Sequence, residues 1–291
     1  MTAPDFCRWR RLVLALAFVP ALAFAQTQGA KEEFTPEVGQ AGKDVIWVPT
    51  PDFLVERMLQ MAQVGPADFV VDLGSGDGRT VISAARKYHA SSMGIEYNPD
   101  MVELSRRNAE KEGVSASAKF VEGDIFASDY SKATVVTMYL LPELNLRLRP
   151  KLLEMKPGTR LVSHQFTMGE WQPDEVSSFD GRTALFWVVP AKVEGAWKLS
   201  YTDNDAKAER TMDLTQKFQM VEGGIVSGAT RLGLRDVRLR GDRLDFAFVD
   251  DRGVLRRFSG RIRGGTIEGS VSSNGKSGGR FRAQRAPGRD G

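Results

Sequence analysis

Val70-Val71-Asp72-Leu73-Gly74-Ser75-Gly76-Asp77-Gly78 begins as an apolar run, tightens through three glycines and leads into a stretch with helical spacing. Phe69 to Leu73 predicts a buried strand, and Val81, Ile82, Ala84 and Ala85 predict a helix from Gly78 through Tyr88. Glycine tolerates positive φ and lets a ligand lie against bare backbone. At the carboxyl edge of a parallel sheet, a loop of this kind is where a nucleotide-like ligand sits. A tight strand-to-helix turn with no ligand is the plainer alternative. No Gly-Lys-Ser/Thr follows, which excludes a Walker loop.

The acidity of the loop narrows the ligand. Asp72 and Asp77 flank and interrupt the glycines, and two carboxylates repel the pyrophosphate that a dinucleotide loop would cradle. They suit a ligand bearing cations there, such as the ammonium and sulfonium of S-adenosylmethionine. A nicotinamide oxidoreductase is disfavoured on the same ground. Glu96 ends a second strand, Met93 to Glu96, where a carboxylate can accept both hydroxyls of a ribose. Asp124 follows a third, Lys119-Phe120-Val121, where it can accept an adenine amino proton or serve as a helix cap. Three acids at three successive strand ends form a specific pattern.

Working outward, strands and helices alternate. Asn98 and Pro99 open a helix that runs to about Glu112 and stops at Gly113. Ala133 to Leu141 predicts a strand, Pro142 to about Met155 a helix, and Thr159 to Phe166 a further strand. This order specifies an α/β fold: a Rossmann-like, doubly wound, mostly parallel sheet with helices on both faces.

The chain of 291 residues is long enough for about two domains. Its composition, 42% hydrophobic and 26% charged, excludes wholesale disorder and a polytopic membrane protein. Residues 26–189 carry 17 basic and 23 acidic side chains; residues 190–291 carry 20 and 13, with 16 of the 29 glycines. The shift sets a boundary near Pro190. Beyond it short alternating runs are split by turns at Gly241-Asp242, Asp251-Arg252-Gly253, Gly264-Gly265 and Asn274-Gly275. They predict a small antiparallel β domain of about six to eight strands over 191–285, including Phe218 to Val221, and a frayed tail over 286–291. Arg231, Arg235, Arg238, Arg240, Arg243, Arg256, Arg257, Arg261 and Arg263 read as the outer face of that sheet or as a patch for an anionic partner.

Residues 1–25 read as a secretory signal. Arg8, Arg10 and Arg11 precede an apolar run too short to span a ~30 Å bilayer core, and Ala23-Phe24-Ala25 fits a cleavage site before Gln26. An uncleaved anchor is the alternative. Cleavage implies an exported, periplasmic or otherwise extracytoplasmic product with no transmembrane segment, led by a flexible linker over 26–44. Cys7 would leave with the signal, and one cysteine with two histidines offers no metal site. The charge balance and the compartment argue against a nucleic-acid partner.

The chain resembles the seven-strand S-adenosylmethionine-dependent methyltransferases over about residues 45–190, and most of all bacterial methyltransferase-domain proteins related to the non-SET protein lysine methyltransferases. The resemblance rests on Val48-Pro49-Thr50-Pro51, Asp72 to Arg79, Gly94-Ile95-Glu96-Tyr97-Asn98-Pro99, Glu122-Gly123-Asp124 and Tyr139-Leu140-Leu141-Pro142-Glu143-Leu144. It implies that S-adenosylmethionine is the cofactor. Asp72, Gly74, Ser75, Gly76, Asp77 and Gly78 would cradle its methionine part, Glu96 would hold the ribose, and Asn98 beside it counts among the cofactor-binding residues. Asp124 and Ile125 would frame the adenine, and Thr50 would close over the ligand. The acceptor stays open, with a protein lysine implied. Tyr139 and Glu143 are the catalytic candidates, the one to orient a nucleophile and the other to attract a cationic one. Alternatively, Tyr139 packs at the sheet edge and Glu143 favours a helix dipole. His164 reads as a hydrogen-bonded core histidine or a base, and His89 as a solvated helix end. An exported binding or scaffold protein that kept the fold and lost turnover is the alternative function.

Overall fold

The computed structural model describes residues 1–2, 34–44, 46–203, 206–228 and 230–287. The address segment beyond Thr2, the expected cleavage site and the end of the tail lie outside the described residues. Among those described, no helix is long and apolar enough to cross a membrane.

The first sheet is built as its sequence demands. β1 (Phe69–Leu73), β2 (Ser91–Glu96), β3 (Ala118–Glu122), β4 (Val135–Met138) and β5 (Arg160–His164) are parallel, and between them run α2 (Arg79–Tyr88), α3 (Pro99–Lys111) and α4 (Pro142–Leu153). A further helix, α1 (Asp52–Met61), precedes β1. Val70, Val71 and Leu73 of β1 are fully buried, as a strand covered on both faces requires. Asn98 caps α3 as expected, its side chain accepting from the amides of Asp100 and Met101.

Two further strands complete this sheet. β6 (Glu175–Phe179) and β7 (Arg182–Val188) form an antiparallel hairpin that the sequence pattern leaves unassigned, and the order is β3-β2-β1-β4-β5-β7-β6. The chain winds from β1 outward to β3, then returns to place β4 on the other side of β1. That reversal is the switch point where ligands bind at the carboxyl strand ends. β6 hangs at the rim, paired only with β7, with Val176 and Phe179 exposed and Phe179 edge-on to Phe53 at 5.6 Å.

The second sheet has nine antiparallel strands, more than the sequence turns suggested. They are β8 (Gly195–Asp203), β9 (Ala206–Lys217), β10 (Met220–Ser227), β11 (Thr230–Gly233), β12 (Arg235–Arg240), β13 (Arg243–Val249), β14 (Leu255–Arg263), β15 (Thr266–Ser273) and β16 (Lys276–Arg285), in the order β11-β10-β9-β8-β16-β15-β14-β13-β12. The sheet curls around an aromatic core in which Phe246 and Phe258 stack at 4.7 Å. Asn274 and Gly275 both take positive φ, the geometry of a two-residue hairpin turn.

Two readings need correcting here. Arg256 points inward: it shares the phase of Phe258 and Ile262 along β14, and Asp250 meets its guanidinium at 2.8–2.9 Å. Most of the other arginines do lie outward, and several find acids of their own sheet, as Arg257 does with Asp236 and Arg261 with Asp242. Phe218 is a turn residue at φ +56 rather than the first residue of a strand. Its ring turns away from the curled core onto Trp171 of the first sheet's loops.

Candidate functional site

At the switch point the carboxyl strand ends open into a cavity of about 740 Å³. Its floor is the glycine loop. Gly76 takes φ +54, and a Cβ there would lie 2.6 Å from the Trp47 indole nitrogen, so only glycine lets the two segments approach. Gly74, Ser75 and Asp77 also line the cavity, and the Ser75 hydroxyl has no hydrogen-bond partner among the described residues. Gly78 stands behind the wall as the residue before α2, its amide bonded to Ser75 O at 2.9 Å.

The strand-end acids are held in three different ways. Asp72 is buried, and Thr137 of β4 donates to its Oδ1 at 2.7 Å. Burial raises its pKa to about 7 against hydrogen bonds from Thr137 and Thr80, and the charges of Glu96 and Asp77 push the same way. A buried carboxyl in that state is ready to be ionised by a cation placed beside it. Glu96 is preset: Gly76 N donates to Oε2 and Asn98 N to Oε1, both at 3.0 Å. Asp77 is already neutralised by the forked guanidinium of Arg79, at 3.0 and 2.6 Å, while Arg79 Nη1 donates to Thr50 O at 3.0 Å. Asp77 therefore serves as a clip between the loop and the chain ahead of α1, and Asp72 with Glu96 is left to face a ligand.

That leading chain roofs the cavity. Within the stretch read as a linker, Ala41 pairs with Ile46, Gly39 N donates to Trp47 O and Trp47 N to Gln40 O. Residues 40–44 and 46–50 line the cavity from above. Lys43 reaches down to Asp124 at 2.7 Å and over the Tyr97 ring at 4.5 Å. Its ammonium, with the Phe126 amide, holds the Asp124 carboxyl below the usual range. Asn98, Ile125 and Thr50 line the same cavity.

The far wall is Tyr139, Leu140, Leu141 and Phe166. Tyr139 stacks with two rings, His164 at 3.8 Å and Phe166 at 6.0 Å between centroids. His164 is fully buried behind the wall, with Nδ1 and Thr50 Oγ1 3.1 Å apart. Burial, aided by the nearby Arg182 charge, lowers its pKa to about 4, so the ring is neutral and supports Tyr139 and Thr50. Glu143 is not in the wall. It is exposed in the first turn of α4, where a carboxylate favours the helix dipole. Among the described residues no His/Cys/Asp/Glu group could hold a metal ion.

Sequence reasoning missed Lys43, Trp47 and Thr137. Thr137 follows from register, since it and Asp72 are paired across β4 and β1. Lys43 meets Asp124 across 81 positions and leaves no local signal.

Residues 72–175 match the family model described as the ANTKMT methyltransferase domain. A protein-lysine N-methyltransferase of Saccharolobus islandicus (strain REY15A) is 48% identical over 134 residues, which are 45% of this chain and 83% of that protein. The adenine nucleotide translocase lysine N-methyltransferase of Mus musculus is 37% identical over 120 residues, which are 41% of this chain and 52% of that protein. The structure of an RNA methyltransferase from Salinibacter ruber, in complex with S-adenosyl-L-homocysteine, superposes with a TM-score of 0.50 at 50% identity. It covers 50% of this chain and 96% of that one. None of these three matches spans more than half of the present chain.

Proposed function

The chain belongs to the S-adenosylmethionine-dependent methyltransferases, in the branch of its protein-lysine N-methyltransferase relatives, and from that premise we propose that it methylates the ε-amine of a protein lysine. One observation carries the reading. A single cavity joins the Asp72 and Glu96 side, built for a cationic ribonucleoside, to an aromatic and aliphatic wall of Tyr139, Leu140, Leu141 and Phe166.

The residues fit the cofactor. Glu96 is positioned to accept ribose hydroxyls, Asp72 to meet the methionine ammonium, and Gly76 lets Trp47 of the roof close onto the loop. When bound, S-adenosylmethionine supplies an electrophilic methyl group on its sulfonium. The chain's own task is alignment and desolvation. A lysine has a reference pKa of ~10.4 and must shed its proton to attack. The apolar wall disfavours its charged form and drives that proton to solvent. Tyr139, held by stacking with His164 and Phe166, presents its hydroxyl end to orient the neutral amine. Glu143 has no part in this.

An RNA acceptor is less well supported. Among the described lining residues the cations are Lys43 and Arg79, and both are paired with aspartates, which leaves little for a phosphate backbone. Transfer of labelled methyl from S-adenosylmethionine to a protein extract and to total RNA tests the choice. Label in lysine, lost in Tyr139→Ala, is expected. Label in RNA or in small molecules alone, or S-adenosylhomocysteine binding without any transfer, overturns the acceptor. Export rests on the basic and apolar residues 8–25. N-terminal sequencing of protein from cells should start at Gln26.

A further inference from the structure

The loop after β5 carries part of the acceptor wall, and the second sheet holds that loop. Gln165 sits at φ +68, a left-handed conformation strained for a residue with a side chain, and turns Phe166 toward the cavity. From α4, Asn145 Nδ2 donates to Phe166 O at 3.1 Å and to Thr167 O at 3.3 Å, and Arg149 Nη1 to Met168 O at 2.9 Å. From the other side the β9–β10 turn closes on it. The Phe218 ring stacks on Trp171 at 6.0 Å and 15°, with the Arg149 guanidinium 5.5 Å from its centroid, and Gln219 Nε2 donates to Gln172 O at 2.7 Å.

The turn is built for this contact. A two-residue hairpin turn with positive φ favours Asn or Gly, and a bulky aromatic there is unfavourable on its own. Phe218 is kept at φ +56 because its ring is used elsewhere. Gln216 stiffens the turn, donating through Nε2 to Phe218 O at 2.7 Å and Ala191 O at 2.9 Å while Oε1 accepts from Val193 N at 2.6 Å.

We propose that the second sheet is a positioning element for methyl transfer. Its β9–β10 turn, through Phe218 and Gln219, fixes loop 165–172 and so holds Phe166 and Tyr139 against the incoming acceptor. The proposal rests on the reading of that wall as the acceptor side. Phe218 and Gln219 touch neither the cofactor cavity nor the strand-end acids, so cofactor affinity is the internal control.

The test uses the full chain with Phe218→Gly, which keeps the left-handed turn and removes the ring, together with Gln219→Ala. Amide exchange over 165–172 should quicken at least about tenfold. S-adenosylhomocysteine affinity should stay within about twofold. kcat/KM for the protein acceptor should fall about tenfold or more, mainly through KM, and Phe218→Tyr should restore it. Phe281→Leu, which thins the curled core without touching the turn, should leave exchange over 165–172 unchanged. Wild-type exchange there in Phe218→Gly overturns the proposal, and so does a loosening spread evenly over both sheets. Should the wild-type enzyme label no protein, the acceptor assignment falls while the exchange comparison still decides whether the turn fixes the loop.

Discussion

Asp72 shows how a single side chain can be legible in type and not in state. Its place at the strand end marks it as ligand-facing, but its protonation depends on burial and on Thr137, which only the fold brings to it. Because the folded-state pKa is raised above the unfolded value, the folded chain binds the extra proton between about pH 4 and 7. Its stability contribution therefore falls as pH rises through that window. An ammonium bound beside the carboxylate reverses the preference. Calorimetry should show S-adenosylhomocysteine affinity weakening by up to about tenfold per pH unit below pH ~7 and levelling above it. Asp72→Asn should raise the ligand-free melting temperature at pH 8 and weaken ligand binding about tenfold or more. Affinity flat from pH 5 to 8 would remove Asp72 from the ligand.

Among the elements, the parallel strands and their helices stand plainly in the sequence, because strands covered on both faces read as apolar runs and the helices carry apolar residues at helical spacing, α3 with a side-chain cap besides. Asn98 is the clearest case. It both ends the approach from Glu96 and starts α3, so Asn98→Ala should cost about 1 kcal/mol in denaturant unfolding and also loosen the ligand, since Asn98 lines the cavity and its cap fixes the turn whose backbone amide donates to Glu96 Oε1. Loss of stability with unchanged affinity would confine Asn98 to the helix. The β6–β7 hairpin was not legible: β6 is exposed at every position but Ser177, with no apolar alternation to betray a strand. The roof over 40–50 was hidden for another reason. Its composition is that of a linker, and its hold comes from Lys43 and Trp47 contacts that no local pattern encodes.

For the whole molecule, the change of charge and glycine content near Pro190 coincides with the passage from β7 to β8. It does not mark slack chain. Ala191 N donates to Gly241 O at 2.8 Å, Val193 N to Gln216, and Arg285 Nη2 to Lys192 O at 2.7 Å. Residues 34–291 cluster as one unit. Limited proteolysis of the native chain should therefore leave 190–194 uncut, and unfolding should follow a single transition. An early cut there, with two separately stable fragments, would show that the two sheets are independent.

β6 is an open rim of the first sheet, as β3 is at its other end. The second sheet curls until its outer strands near each other, but β6 offers unpaired amides and carbonyls beside the bare side chains of Val176 and Phe179. An uncovered strand edge is a template for another chain. The colloidal fate of this protein when crowded or warmed should thus be decided at β6, by strand-to-strand association between molecules still folded. Light scattering at raised concentration should show Val176→Lys delaying association while melting temperature and ligand affinity hold. Unaltered association in that variant would place the sticky surface elsewhere.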